Sequence, residues 1–140
     1  MEIPAHNRIP VDRRHAVVGR SSIHGRPMAM LLLHQNATVT LCPSHTPDLK
    51  KFTRDADILI AVAGVHYLIK VEMVKPSAMA IDFGVNFVDE QVDGDVDFEN
   101  VRGIAGAITP MPGGTGPVTI VMLMRNTLNA AKQQVKTEKG

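Results

Sequence analysis

Tryptophan is missing from this 140-residue chain, tyrosine occurs once and phenylalanine four times. Cysteine also occurs once, at Cys42, so an internal disulfide is impossible and a reducing cytoplasm is the expected setting. A mitochondrial matrix location stays open if a transit peptide has been removed, and no signal-peptide pattern opens the chain. Apolar stretches are short. The longest, 29–33 and 118–124, fall far below the about 18–20 residues that a membrane-spanning helix needs. Neither sign of charge dominates: 15 basic residues face 14 acidic ones, and without a dense basic patch there is no footprint of nucleic-acid binding. What remains is 44% hydrophobic and 21% charged, which describes a soluble globular chain long enough to bury one real core.

Along the chain, short apolar runs alternate with helix-period segments. Residues 1–14 carry Pro4 and Pro10 with little periodicity and are expected to form an extended lead-in. His15–Val18 reads as a strand, and a helix near Arg26–Gln35 places Met28, Leu31 and Leu32 on one side before Asn36 ends it. Thr38–Cys42 is a β-branched second strand, and the loop from Pro43 to Pro47 opens a helix over Asp48–Arg54. Ile58–Ala63 is continuously apolar, as expected of a parallel strand covered on both faces. A single helical turn over Lys70–Val74 precedes a fourth strand, Met79–Phe83. Val88–Val92 suggests a small extra strand, Gly94–Asp97 an acidic turn, and Ile104–Thr109 the last strand. A helix from Pro117 to about Val135 follows a stiff loop rich in proline and glycine. The expected fold is α/β: a Rossmann-type, doubly wound, mostly parallel sheet with helices on both faces, occupying residues 15–140.

The most informative stretch is Val17-Val18-Gly19-Arg20-Ser21-Ser22-Ile23-His24-Gly25-Arg26-Pro27. It is a strand end, a tight turn and a helix start, the arrangement that receives the pyrophosphate of a dinucleotide in open α/β domains. Free amides and the positive end of a helix dipole would face an anion there, with Arg20 beside them. The spacing, Gly-x-Ser-x-x-x-Gly, departs from G-x-G-x-x-G, so the pattern needs support from elsewhere.

That support comes from the wording of six segments. Gly19-Arg20-Ser21-x-x-x-Gly25-x-Pro27, Ala37-Thr38-Val39-Thr40-x-Cys42-x-Ser44-x-Thr46, Ala56-Asp57-Ile58, Ile81-Asp82-x-Gly84-x-Asn86, Gly94-Asp95-Val96-Asp97-Phe98 and Ile108-Thr109-Pro110-x-Pro112-Gly113-Gly114-x-Gly116-Pro117-x-Thr119 occur in order. Together they resemble the nucleotide domain of the bifunctional methylenetetrahydrofolate dehydrogenase/cyclohydrolase family, from Val17 to Ala131. His24 stands where that family has valine, Pro43 where it commonly has histidine, and His66 where it usually has proline. The resemblance implies an oxidoreductase and hydrolase of one-carbon metabolism: hydride transfer from methylenetetrahydrofolate to NADP, then hydrolysis of the methenyl product. It also implies a preceding catalytic domain with a Tyr-x-x-x-Lys pair. Tyr67 precedes Lys70 by three and lies in the nucleotide region, so no catalytic residue is assigned in these 140 residues.

The resemblance implies cofactor contacts from Gly19, Arg20 and Ser21 at the phosphates, Ser44 near the adenosine ribose and Val85 near the nicotinamide. The second strand ends Cys42-Pro43-Ser44-His45 without the acid that would accept a ribose 2′-OH, which favours NADP over NAD. Pro112, Gly113 and Gly114 are expected on the folate side, where missing side chains let flat rings approach the backbone. Asp82 is read as a structural carboxylate, Asp95 and Asp97 as turn residues bonded to their own backbone. The six histidines show no metal-ligand spacing. Folate would bind only with a catalytic domain, and self-association is expected through the apolar last helix. A non-catalytic nucleotide-binding or interaction domain that needs a partner in trans is the alternative. A different dehydrogenase sharing only the fold is disfavoured by Pro112-Gly113-Gly114-x-Gly116-Pro117.

Overall fold

The structure, a computed structural model, describes residues 2–19 and 21–137. Its centre is a five-stranded, wholly parallel sheet in the order β2-β1-β3-β4-β7, built from β1 (His15–Gly19), β2 (Thr38–Cys42), β3 (Ile58–Ala61), β4 (Met79–Asp82) and β7 (Ala107–Ile108). The chain runs outward from β1 to β2 and then returns across β1 to β3. That reversal leaves a crevice beyond the carboxyl ends of β1 and β3.

Period-two alternation in β3 divides the core between the two faces. Ile58 and Ile60 pack with Ala16, Leu32, Met79 and Ile81 on one side; Leu59 and Ala61 pack with Ile69, Val74, Val96 and Val101 on the other. Every residue of β3 and β4 is buried, which is why β3 reads as a continuous apolar run rather than an alternating one. Each such aliphatic side chain contributes about 1.5–3 kcal/mol gross on burial.

Helix α2 (Gly25–Leu33) connects β1 to β2, and its buried stripe is Gly25, Ala29 and Leu32. Leu31, expected on that stripe, is instead 47% exposed, because the side facing the sheet is the one that carries Gly25, Ala29 and Leu32. Asn36 closes the turn in a left-handed conformation (φ 59°), with the Ala37 amide returning to the Leu32 carbonyl at 3.1 Å. The second face is covered by α3 (Leu49–Thr53), a 3₁₀ turn over Val71–Met73 and α4 (Phe98–Val101).

Four expectations change. Within the lead-in, Glu2–His6 forms helix α1 instead of extended chain, because Ile3, Ile9 and Val11 reach the Ile58/Ile60 core and Pro4 sits in the first turn, where its missing N–H costs nothing. The single extra strand is a hairpin of β5 (Asn86–Val88) and β6 (Gln91–Asp93), whose turn residues Asp89 and Glu90 both have positive φ. The last strand shrinks to Ala107–Ile108, since Ile104 and Ala105 are occupied in closing α4 on the Val101 carbonyl. Helix α5 (Thr115–Thr137) begins two residues before Pro117, which therefore stands third but still within the first turn. The Glu2 carboxylate accepts from Arg125 Nη2 at 2.6 Å and ties α1 to α5. No described helix is long and apolar enough to cross a membrane.

The amino edge of the sheet is fastened by Asp57. Its Oδ1 accepts from Lys75 Nζ at 2.7 Å and its Oδ2 from the His15 amide at 3.0 Å, so one carboxylate joins β1, β3 and the segment before β4. The Lys75 ammonium, then the His15 amide, hold the carboxyl below its ordinary range. A lowered folded value stabilises above the ordinary carboxylate range and is lost as pH falls through the folded value. Asp57→Asn is therefore expected to cost about 1 kcal/mol at neutral pH, with Lys75 half in solvent, and progressively less in acid. Urea unfolding of both proteins between neutral and acid pH measures this; a constant difference would contradict it.

Candidate functional site

At the carboxyl edge, β1 ends in Gly19, where the fit is tight: a Cβ there would meet Val62 Cγ1 at 3.0 Å and the Val62 carbonyl at 3.3 Å. The turn that follows is folded by Ser21. Its carbonyl accepts from the Arg26 amide at 2.9 Å, and its hydroxyl accepts from the Ile23 and His24 amides at 3.4 Å. The cap residue His24 makes no side-chain hydrogen bond of its own to α2, whose first turn is held instead by Ser21.

These elements border a cleft of ≈ 760 Å³. Gly19, Ser21, Ser44 and Val85 all line it, from the end of β2 across β1 to the end of β4. Arg20 lies outside the described residues. The sequence reading missed Arg26 and Thr46, which line the same space. Arg26 has no carboxylate partner among the described residues. Burial pushes the Cys42 thiol up, with the nearby Thr46 hydroxyl drawing it partly back, so the thiol is unreactive at neutral pH. A thiol is a weak partner, and Thr46 Oγ1 is buried without any other. An unpartnered hydroxyl beside Ser44 fits a polar ligand group at the β2 end.

Two buried carboxylates shape the opposite wall. Asp95 Oδ2 accepts from the Ala63 and Gly64 amides and Oδ1 from the Val65 amide at 2.9 Å and Asn86 Nδ2 at 3.0 Å. Asp82 Oδ1 accepts from the amides of Gly84 (2.7 Å) and Asp95 (3.2 Å), and Oδ2 from Val96 (2.8 Å). Burial pushes the Asp82 carboxyl up; the three amides oppose this and the neighbouring Asp95 charge adds to it. Asp82 thus accepts backbone hydrogen bonds, as expected of a carboxylate at a strand end. Asp97 also behaves locally, capping α4 by accepting from the Asn100 amide. Asp95 does not: its three amide donors, at Ala63, Gly64 and Val65, lie thirty or more residues away, so the expected turn is a cross-link. The cross-link is close-fitting, since a Cβ on Gly84 would strike Asp95 and one on Gly94 would strike Asp82.

The proline- and glycine-rich loop is anchored to the same strand end, with Thr109 Oγ1 accepting from the Asp82 amide at 2.8 Å and Thr115 Oγ1 donating to the Asp82 carbonyl at 3.0 Å. Pro112 and Gly113 are exposed and Gly114 half-buried; none of them lines the cleft.

Residues 1–135 match the family described as tetrahydrofolate dehydrogenase/cyclohydrolase, NAD(P)-binding domain. The chain belongs to that family. Among curated relatives, the bifunctional protein FolD of Roseiflexus sp. (strain RS-1) is 55% identical over 137 residues, covering 96% of this chain and 48% of the relative. FolD of Chloroflexus aurantiacus is 58% identical over 124 residues, 88% of this chain and 44% of the relative. The chain spans about half the length of the curated relatives it matches. Among solved structures, the Campylobacter jejuni FolD methylenetetrahydrofolate dehydrogenase/cyclohydrolase superposes with a TM-score of 0.92 at 41% identity, covering 96% of this chain and 48% of that one. The Trypanosoma brucei enzyme, complexed with NADP cofactor and inhibitor, gives 0.92 at 38% identity, with 96% and 49% covered. The parallel sheet and its crevice are therefore those of a FolD-type NAD(P)-binding domain.

In this domain the Asp95 cross-link sets the cleft wall. Asp95→Asn replaces a four-bond acceptor with a group that turns an NH₂ toward amide donors, and is expected to cost about 1–3 kcal/mol. Hydrogen exchange should show the amides of Ala63, Gly64 and Val65 losing protection beyond the global change. Uniform loss across the sheet would contradict a local role.

Proposed function

We propose that this chain is the NADP-binding half of a cytoplasmic methylenetetrahydrofolate dehydrogenase/cyclohydrolase. The observation that carries the reading is the convergence of Gly19, Ser21, Ser44 and Val85 on one cleft at the point where the strand order reverses. When bound, NADP supplies a hydride acceptor for the methylene carbon of the folate. The chain's own residues bind and orient. Gly19 and Ser21 present backbone amides and a helix terminus to the pyrophosphate, Arg20 and Ser44 take the 2′-phosphate, and Thr46 adds its unpartnered hydroxyl at that end. Val85, 55% exposed, faces the nicotinamide. Pro112, Gly113 and Gly114 present an exposed backbone edge to the folate side, where a catalytic domain would complete the site. NADP bound to the Trypanosoma brucei relative agrees with this preference.

Calorimetric titration of the 140-residue chain should find NADP bound more tightly than NAD, with Arg20→Ala largely erasing the ratio through loss of about 1.5–3 kcal/mol. The same protein should produce no NADPH from methylenetetrahydrofolate, because the chain has no Tyr-x-x-x-Lys pair. Equal affinities, or turnover by purified protein, would overturn the assignment.

Helix α5 carries the second part of the proposal. Ile120, Val121, Leu123, Met124 and Leu128 are each more than half exposed. Covering roughly 400–600 Å² of such surface yields on the order of 10 kcal/mol gross, before ordering and association costs. In a longer enzyme the catalytic domain provides that cover; for these 140 residues alone, a second copy does. Sedimentation at micromolar concentration should show self-association. A monodisperse monomer that binds no hydrophobic dye would contradict it.

A further inference from the structure

His24 and Phe83 meet across the end of β3. His24 is the cap residue of α2 and Phe83 follows the last residue of β4, so the pair bridges the strand between β1 and β4. Their rings stack with centroids 5.4 Å apart and planes inclined by 27°. The imidazole has no hydrogen-bond partner among the described residues, which leaves the stack as its one specific contact.

Phe83 lines two spaces at once: the ≈ 760 Å³ cleft, and a ≈ 410 Å³ apolar groove between α1, α2, α5 and the sheet that also touches Met28, Ile81 and Met122. The backbone around it has little freedom. The Phe83 amide donates to the Ala61 carbonyl at 2.9 Å, the Gly84 amide is held by Asp82, and Gly84 abuts Asp95. With its backbone held, the Phe83 side chain stands on the boundary between the cleft and the groove. One side of Phe83 packs against the Ile58/Ile60 core, and the ring stacked on it is His24.

We propose that His24, acting through Phe83, is a positioning residue for the nicotinamide half of the dinucleotide. The proposal rests on the nucleotide reading above and adds to it a determinant at position 24, where the family resemblance has valine. With valine, the stack is lost and Phe83 is free to lean into the space that the second half of the cofactor needs. The adenosine half, bound beyond Ser44 at the other end, does not feel the change.

The test is calorimetric titration of the full chain with NADP and with adenosine 2′,5′-bisphosphate, which lacks the nicotinamide half. His24→Val should weaken NADP binding about three- to tenfold, the scale of one aromatic pair, and leave the bisphosphate within about twofold. His24→Phe, which keeps a stacking ring without the imidazole, should retain wild-type affinity. In a Phe83→Val background, His24→Val should add nothing, since the coupling partner is gone. Unchanged NADP affinity in His24→Val, an equal loss toward both nucleotides, failure of His24→Phe to retain binding, or additive effects with Phe83→Val would each overturn the proposal. Wild-type protein that binds neither nucleotide would instead overturn the reading of the cleft, and this inference with it.

Discussion

Two buried carboxylates, Asp82 and Asp95, hold the functional edge of this domain together. A parallel sheet ends in a row of backbone amides that no neighbouring strand satisfies, and leaving them buried without acceptors would cost about 1–3 kcal/mol each. Asp82 and Asp95 take up six of those amides between them, drawn from the ends of β3 and β4 and from the segment before α4. Both carboxylates are essentially inaccessible, at 2% and 0% exposure. Two such charges side by side repel, and the arrangement is tolerable because each is surrounded by donors. The cleft wall at Ala63–Val65 and the Gly84-Val85 corner are consequences of that network rather than of the strands alone.

The amino edge is built differently. Asp57 there is partly solvated and pairs with Lys75 and Arg14, so it contributes pH-dependent stability and no cavity. Binding surfaces belong at the other edge, where helix α2 points its positive end and the strand order reverses. The same topology leaves α5 outside the core. Its residues Val118, Met122 and Leu123 border the apolar groove, while Ile120, Val121, Met124 and Leu128 stay more than half exposed.

What could be read from the residues depended on how local the determining contact was. Ile58–Ala61 declared itself because a strand buried on both faces has no polar positions, and the turn from Gly19 into α2 is encoded within a dozen residues. The hairpin at Asn86–Asp93 was hidden by a turn of Asp89 and Glu90, with no glycine to mark the positive φ angles. Helix α1 was hidden by its five-residue length, too short for periodicity to register. Asp95 looked like a turn residue because its partners at Ala63, Gly64 and Val65 lie far back in the chain, and nothing in Gly94-Asp95-Val96-Asp97 names them. Arg26 sat inside the quoted motif, yet its reach into the cleft depends on the direction of a side chain, and Thr46 became visible as a site residue through its buried, unpartnered hydroxyl.

In the reading proposed above, the nucleotide lies across the carboxyl edge of the sheet, from Ser44 through Gly19 to Val85. Amide chemical-shift mapping during titration of isotope-labelled protein with NADP tests it most directly. The largest shifts are expected at Gly19, Ser21, Ser44, Thr46 and Val85, with His15 and Asp57 at the opposite edge unmoved. Shifts concentrated at Met28, Val118 and Met122, along the groove beneath α5, would contradict it.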